Sequence, residues 1–270
     1  MSGGLRIEGL SLRFGDLRVL DRVDLEVEAG EFVCFVGPSG CGKSTLLNVV
    51  AGFALPGSPE IEGTVRWQDR VIRDHRDWNG ELGYVFQRDN LLPWYTLEQN
   101  VLVSLRIRRM PLRSAVTRAR QEIARVGLSG FERHFPHQLS GGMRQRASLA
   151  RTLVYDPKVM LMDEPFGALD AHTRMHLQRE LSRLWAEHRV TVLFVTHDLT
   201  EAITLGQRVV VLSHRPGHVA ASYCVPFGYP RDPVELQGRK EFAMLQAEVW
   251  ACLAEQFRRA DQYALQEVSS

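Results

Sequence analysis

The residues best able to do chemistry stand in one short run, Gly37-Pro38-Ser39-Gly40-Cys41-Gly42-Lys43-Ser44. Glycines let the backbone turn its N–H groups inward as a nest for an anion, and a helix start directly after them adds partial positive charge. Lys43 can reach the β- and γ-phosphates of a nucleoside triphosphate, and the Ser44 hydroxyl can ligate Mg2+. The run follows the apolar stretch Phe32–Val36 and precedes Leu46, Leu47 and Val50 at helical spacing. A phosphate cradle requires that strand–loop–helix setting. The guanine-reading Asn-Lys-x-Asp is missing, because Asn48, Asn79, Asn90 and Asn100 precede Val, Gly, Leu and Val.

A second group could perform hydrolysis. Val159-Met160-Leu161-Met162 is an apolar strand that ends in Asp163-Glu164-Pro165. Asp163 at the strand tip is suited to hold Mg2+, and Glu164 to polarise an attacking water as general base. Pro165 biases Glu164 toward extended backbone. Val190–Val195 is another buried strand, and Thr196-His197-Asp198 closes it at the edge where open α/β sheets bind ligands. His197 there is a candidate γ-phosphate sensor. Gln87, after the strand Leu82–Phe86, can join the Mg2+ shell. Leu139-Ser140-Gly141-Gly142-Met143-Arg144-Gln145-Arg146 opens a helix and makes a second anion site, from a hydroxyl and glycine N–H groups. One triphosphate cannot easily touch both glycine-rich sites within a single chain. Two copies arranged head to tail can close two such sites by symmetry.

Positioning these groups takes a layered α/β fold. Ile7, Leu10, Leu12 and Phe14, then Val23, Leu25 and Val27, recur largely at period two, as half-exposed antiparallel strands do. Continuous apolar runs at 32–36, 159–162, 190–195 and 209–212, mostly separated by helical stretches, predict a mainly parallel sheet. From Thr96 to about Tyr155 the spacing is helical, with Leu97, Val101 and Leu105 on one face and Pro93, Pro111 and Pro136 as breaks. Residues 88–155 therefore form a helical insertion. Phe242, Leu245, Val249, Trp250, Leu253 and Phe257 predict a closing amphipathic helix.

Composition narrows the partners. The 270 residues are 44% apolar and 24% charged, as globular chains are, and Lys+Arg 33 against Asp+Glu 32 leaves a net charge of +1. A coat for nucleic acid or an anionic bilayer would be more basic. The Arg106, Arg108, Arg109, Arg113, Arg118, Arg120, Arg125 stretch reads as a solvated helical face. No apolar run approaches the ~18 residues of a membrane span, and residues 1–30 carry charges throughout instead of a secretory core. These features fit a soluble, cytoplasmic type of chain. Four cysteines without metal spacing (Cys34, Cys41, Cys224, Cys252) are expected to be mostly buried small hydrophobes.

With these segments in order, the chain resembles the ATP-binding cassette family, specifically the separate ATPase subunits of bacterial importers. LSGGMRQR is similar to the family signature and GPSGCGKST to its P-loop, which brings in Thr45. Gln87 resembles the Q-loop, Met160–Glu164 the Walker B strand, Ala168-Leu169-Asp170 the D-loop and His197 the switch histidine. Phe14 falls at the adenine-stacking aromatic, where tyrosine is commoner. The resemblance implies a RecA-like core sheet, an N-terminal antiparallel β subdomain and the α-helical insertion within residues 1–228, followed by a helical extension over 229–270. It also implies ATP and Mg2+ as ligands, and a peripheral position on the cytoplasmic face of the membrane. The implied partners are a second ATPase subunit, two membrane permease subunits docking near Leu91-Leu92-Pro93-Trp94 and, indirectly, a solute-binding protein; no nucleic acid is expected. The wording Gln87 … Leu91-Leu92-Pro93-Trp94 looks most like importers of nitrate, sulfonates, taurine or thiamine precursors, and Tyr229-Pro230-Arg231 is compatible with that. A soluble cassette ATPase acting on ribosomes or nucleic acid is the alternative. Such chains carry two cassettes or a long coiled coil, and this one has one cassette and no heptad run.

Overall fold

The computed structural model describes residues 4–167 and 169–268, with 262–268 as backbone only. β1 (Leu5–Phe14) and β2 (Leu17–Val27) form a hairpin. The chain then leaves through β3 (Phe32–Val36) and α1 (Lys43–Ala51), and β4 (Glu60–Trp67) and β5 (Arg70–Ile72) come back to the hairpin. The result is a four-stranded antiparallel sheet in the order β2-β1-β4-β5. Ile7 and Leu10 both face its core although they are three residues apart, because a bulge interrupts the β1–β2 register between them. Gly9, at φ 59°, supplies the left-handed residue this bulge needs. Strict alternation resumes on either side of it.

Next come β6 (Leu82–Val85), α2 (Leu97–Ile107), α3 (Leu112–Arg125), α4 (Gly141–Leu153), β7 (Val159–Asp163), α5 (Ala171–His188) and β8 (Thr191–Val195). α6 (Leu199–Leu205), β9 (Arg208–Leu212), β10 (Val219–Cys224), α7 (Pro233–Gln237) and α8 (Lys240–Val268) follow. The second sheet has six strands in the order β10-β9-β3-β8-β7-β6, and only β10 runs antiparallel. Period two divides β3 between two cores. Val33 and Phe35 join α1 and the antiparallel sheet, while Phe32, Cys34 and Val36 join α5, α6 and α8. Each such side chain, fully buried, contributes roughly 1.5–3 kcal/mol.

β6 and β7 are parallel neighbours, so residues 86–158 must cross from the carboxyl edge of one strand to the amino edge of the other. The helical insertion is that crossover. Leu97, Val101 and Leu105 meet Ala115, Ala119 and Ile123 of α3 and the small Ala147 and Ala150 of α4 in a separate core. Thr96 and Gln99 cap α2 reciprocally. Asn100, fully buried, accepts from the Leu92 N–H at 2.8 Å and donates to the Leu92 and Tyr95 carbonyls at 3.1 Å, which pins the loop before α2.

Two expectations need correction. On α8, Phe242, Val249 and Leu253 are buried, but Trp250 and Phe257 stay exposed, because their phase along the helix differs from that of the buried stripe. Cys34 and Cys41 are buried, whereas Cys224 is exposed and Cys252 half-buried. The arginine stretch is the solvated face expected of it, with three of its seven side chains ion-paired along the surface: Arg118 with Asp156, Arg120 with Glu98 and Arg125 with Glu122. Leu91 belongs to the lobe's core while Trp94 is largely exposed.

Candidate active site

The cradle is built where β3 runs out of the sheet. Gly42 takes φ 99° at the N-cap of α1, and a Cβ there would come 2.8 Å from Leu20 Cδ2 of β2. Only glycine lets the loop turn this close to the antiparallel sheet. Ser39 and Gly40 are exposed at its rim, while Pro38, Cys41 and Gly42 are buried. Burial raises the Cys41 thiol above its ordinary range. Lys43 is itself buried, and its ammonium donates to the Gly37 and Pro38 carbonyls at 2.8 and 2.9 Å. The lysine thus sits across the mouth of the nest its own loop forms. Thr45 is half-buried in the first turn of α1.

The two sequence-distant Mg2+ candidates meet. Ser44 Oγ donates to Asp163 Oδ1 at 2.9 Å across 119 residues. Burial pushes the Asp163 carboxyl up from its usual range, the Ser44 hydrogen bond opposes this, and the neighbouring Glu164 adds to it. Among the described residues no cluster of three His, Cys, Asp or Glu could hold a metal ion. A hydroxyl and one carboxylate beside a phosphate cradle fit Mg2+, which keeps waters and takes phosphate oxygens in place of a full protein cage. Gln87 is exposed in the bend after β6, with no hydrogen bond to Ser44 or Asp163 among the described residues.

Glu164 is not extended. Its φ is 43°, its N–H donates to the Val195 carbonyl at 2.9 Å, and its carbonyl accepts from the Gly167 N–H at 3.1 Å. This tight turn overrides the bias from Pro165 and sends the carboxylate to β8's end. There Glu164 Oε2 lies 3.0 Å from His197 Nδ1. A left-handed backbone at a non-glycine residue is strained, and such strain concentrates where a side chain must be aimed.

Ser140 caps α4 by accepting from the Met143 N–H at 3.3 Å. Ser140 and Gly141 are exposed, but Gly142 is buried against Thr173 of α5, with no space for a Cβ beside Thr173 Cγ2. Asp170 caps α5 by accepting from the Thr173 N–H at 3.0 Å. Thr173 therefore joins Asp170 to the glycine-rich helix start. Ala168, predicted in the same loop, lies outside the described residues. Phe14 ends β1 half-buried, with Gly57 alongside its ring.

Sequence reading missed three arginines. Arg144 pairs with Asp89 at 2.9 Å and donates to the Leu139 carbonyl, and Arg151 donates to the carbonyls of Asn90 and Asp89. Together they tie the segment after Gln87 to α4. Arg174 donates to the Leu169 carbonyl at 2.9 Å and pairs with Asp198 at 3.4 Å, linking the Asp170 loop to the His197 loop. Most of these acceptors are backbone oxygens, which carry no residue-type signal. The arrangement can cradle a polyphosphate, hold a hard cation at Ser44 and Asp163, and orient a water between Glu164 and His197.

Residues 20–167 match the family described as ABC transporter. An uncharacterized ABC transporter ATP-binding protein of Methanocaldococcus jannaschii is 42% identical over 240 residues, covering 86% of each chain. An aliphatic sulfonates import ATP-binding protein, SsuB, of Bacillus thuringiensis is 40% identical over 224 residues, covering 82% of this chain and 84% of its own. Among solved structures, the dimeric ABC transporter cassette MJ0796 superposes with TM-score 0.72 at 31% identity, over 83% of this chain and all of its own. A second structure of that cassette, post-hydrolysis with ADP and Pi, matches equally well.

Proposed function

The chain belongs to the ABC transporter family as an ATP-binding, ATP-hydrolysing subunit, and from that premise we propose that it drives import of a small solute through separate membrane subunits. The solute class is that of sulfonates, taurine or nitrate. The likeness to SsuB supports this, together with the Leu91-Leu92-Pro93-Trp94 wording. Among the described residues no helix is long and apolar enough to cross a membrane.

In the proposed site the Gly37–Ser44 loop binds the triphosphate, Phe14 stacks on adenine, and Lys43 exchanges its loop carbonyls for phosphate oxygens. Ser44 and Asp163 would hold Mg2+, with Gln87 completing the set, and bound Mg2+ would neutralise charge on the β- and γ-phosphates. Glu164 takes the proton of the attacking water while His197 keeps carboxylate and phosphate in register. Ser140, Gly141 and Gly142 of a second copy close the site from the far side, and Asp170 sets the helix against which Gly142 packs. The observation that carries this reading is the 2.9 Å Ser44–Asp163 contact, which joins the cradle to the hydrolytic strand.

Copurification tests the transport reading: integral membrane subunits should accompany the chain, and nuclease-sensitive RNA or DNA in their place would refute it. Reconstituted with those subunits, the complex should accumulate a labelled sulfonate only when ATP is supplied. Ser140→Arg should leave ATP binding to the single chain intact yet abolish ATP-dependent pairing in sedimentation.

A further inference from the structure

α8 carries two apolar faces, of which the core uses one. Phe242, Val249, Leu253 and Gln256 are buried against the sheet side. On another face Ala247, Trp250, Ala254 and Phe257 recur at intervals of three, four and three, the spacing of a helix–helix seam. Trp250 is 53% and Phe257 38% exposed, and their rings stand 6.2 Å apart. Large aromatics flanked by alanines on an open helix face suit a second protein surface better than water.

This face is turned toward the catalytic loops. A groove of about 530 Å3 separates Ala247 and Trp250 from the His197–Thr200 segment. A second, of about 570 Å3, separates Phe257 and Asp261 from Ser39 and Gly40 at the rim of the phosphate cradle. Both grooves therefore share a wall with the residues that a second copy must approach to close the nucleotide site. α8 stands as a rail beside that opening.

We propose that the Ala247–Trp250–Ala254–Phe257 face of α8 packs against a second copy of this chain when two copies close on ATP. It widens the contact beyond the one that Ser140 makes. The proposal rests on the head-to-tail pairing described above. Its basis is continuity: Ser39 and Gly40 line one groove with Phe257, and His197 lines the other with Trp250, so a partner seated on those residues borders both aromatics.

The test uses the full chain carrying Glu164→Gln, with Mg2+ and ATP, in sedimentation velocity. Trp250→Ala and Phe257→Ala should each weaken pairing about tenfold or more while ATP binding to the single chain stays unchanged. Met244→Ala, exposed on a different face of α8, should pair like the parent. Hydrogen exchange gives an independent reading: residues 246–258 should gain protection when ATP is added, and not when Ser140→Arg is also present. If Ser140→Arg abolishes pairing while both aromatic variants pair normally and 246–258 gain no protection, the α8 proposal falls and the head-to-tail reading stands. If Ser140→Arg pairs like the parent, both fall. Protection of 246–258 that requires phospholipid vesicles and not ATP would assign the face to a bilayer and overturn the proposal.

Discussion

Nδ1 of His197 lies 3.0 Å from Oε2 of Glu164, although the two residues leave different strands, β8 and β7. The contact depends on the strained turn at Glu164, whose N–H is held by Val195, the last residue of β8. The histidine side chain is 63% exposed against 23% for the glutamate, so the pair faces outward to where a phosphate and water would sit. The imidazole is placed to hold the carboxylate at the open end of both strands.

Glu164→Gln keeps the shape and a side-chain oxygen for His197 but removes the base. Phosphate release should fall by roughly 10²–10⁴-fold, the usual contribution of a positioned general base. ATP binding should persist, and an ATP-bound pair should accumulate. Near-normal steady-state phosphate release would remove Glu164 from this role.

Gly142→Ala should force α4 away from α5, because the new methyl would overlap Thr173 Cγ2. Overpacking of this kind costs about 1–3 kcal/mol, read in urea unfolding, and should lower ATP turnover by shifting Ser140. Adding Thr173→Ser removes the offending methyl and leaves the next atom at 3.6 Å, so the double variant should recover. An unrepaired double variant would mean that the contact does not set the position of α4.

Arg231, 4% exposed, donates to the carbonyls of Ile203, Thr204, Gly206 and Phe227 at 2.7–3.2 Å. These oxygens include the carboxyl end of α6, where a cation is also favoured by the helix dipole. Arg231→Ala should destabilise the fold by about 3 kcal/mol or more, since several buried acceptors lose a charged donor at once. Arg231→Lys, a point donor in place of a planar fork, should fall between, as chemical denaturation would show.

Glu201 is buried, and burial raises its carboxyl above the ordinary value, opposed by hydrogen bonds from Thr196 and Gln178. The folded chain therefore keeps this proton to higher pH than the unfolded chain does. Between the two pKa values the native state binds more protons, so this residue lowers stability as pH rises through the folded value. Glu201→Gln should consequently gain on the parent as pH climbs above about 4.3, the ordinary value of a glutamate carboxyl. Urea midpoints at matched pH would reveal the opposite trend if the carboxylate is favourably held.

The alternation in β1 and β2 and the unbroken apolar strands β3, β7, β8 and β9 were legible because burial on one face or two writes itself directly into residue type. The sequence also pointed to Ser44 with Asp163 and Glu164 with His197, and the structure brings each pair together, at 2.9 and 3.0 Å. What escaped was conformation and phase. Nothing in Glu164-Pro165 announces φ 43°, since the turn is imposed by hydrogen bonds to Val195 and Gly167. On α8 the apolar residues serve two faces, and a single tally of hydrophobes merges Trp250 with Leu253. Arg151 and Arg174 act on main-chain oxygens, which every residue owns.

The helical insertion leaves β6 at one rim of the parallel sheet and rejoins β7 at the other. A body rooted at two opposite rims is held to the sheet at both ends. Gln87 lies at one root and Lys158 at the other, and Ser140 opens α4 between them in the chain. Gln87 at its root and Ser140 at the start of α4 thus belong to one packed lobe with its own core, so a shift at either is felt by the other through that core.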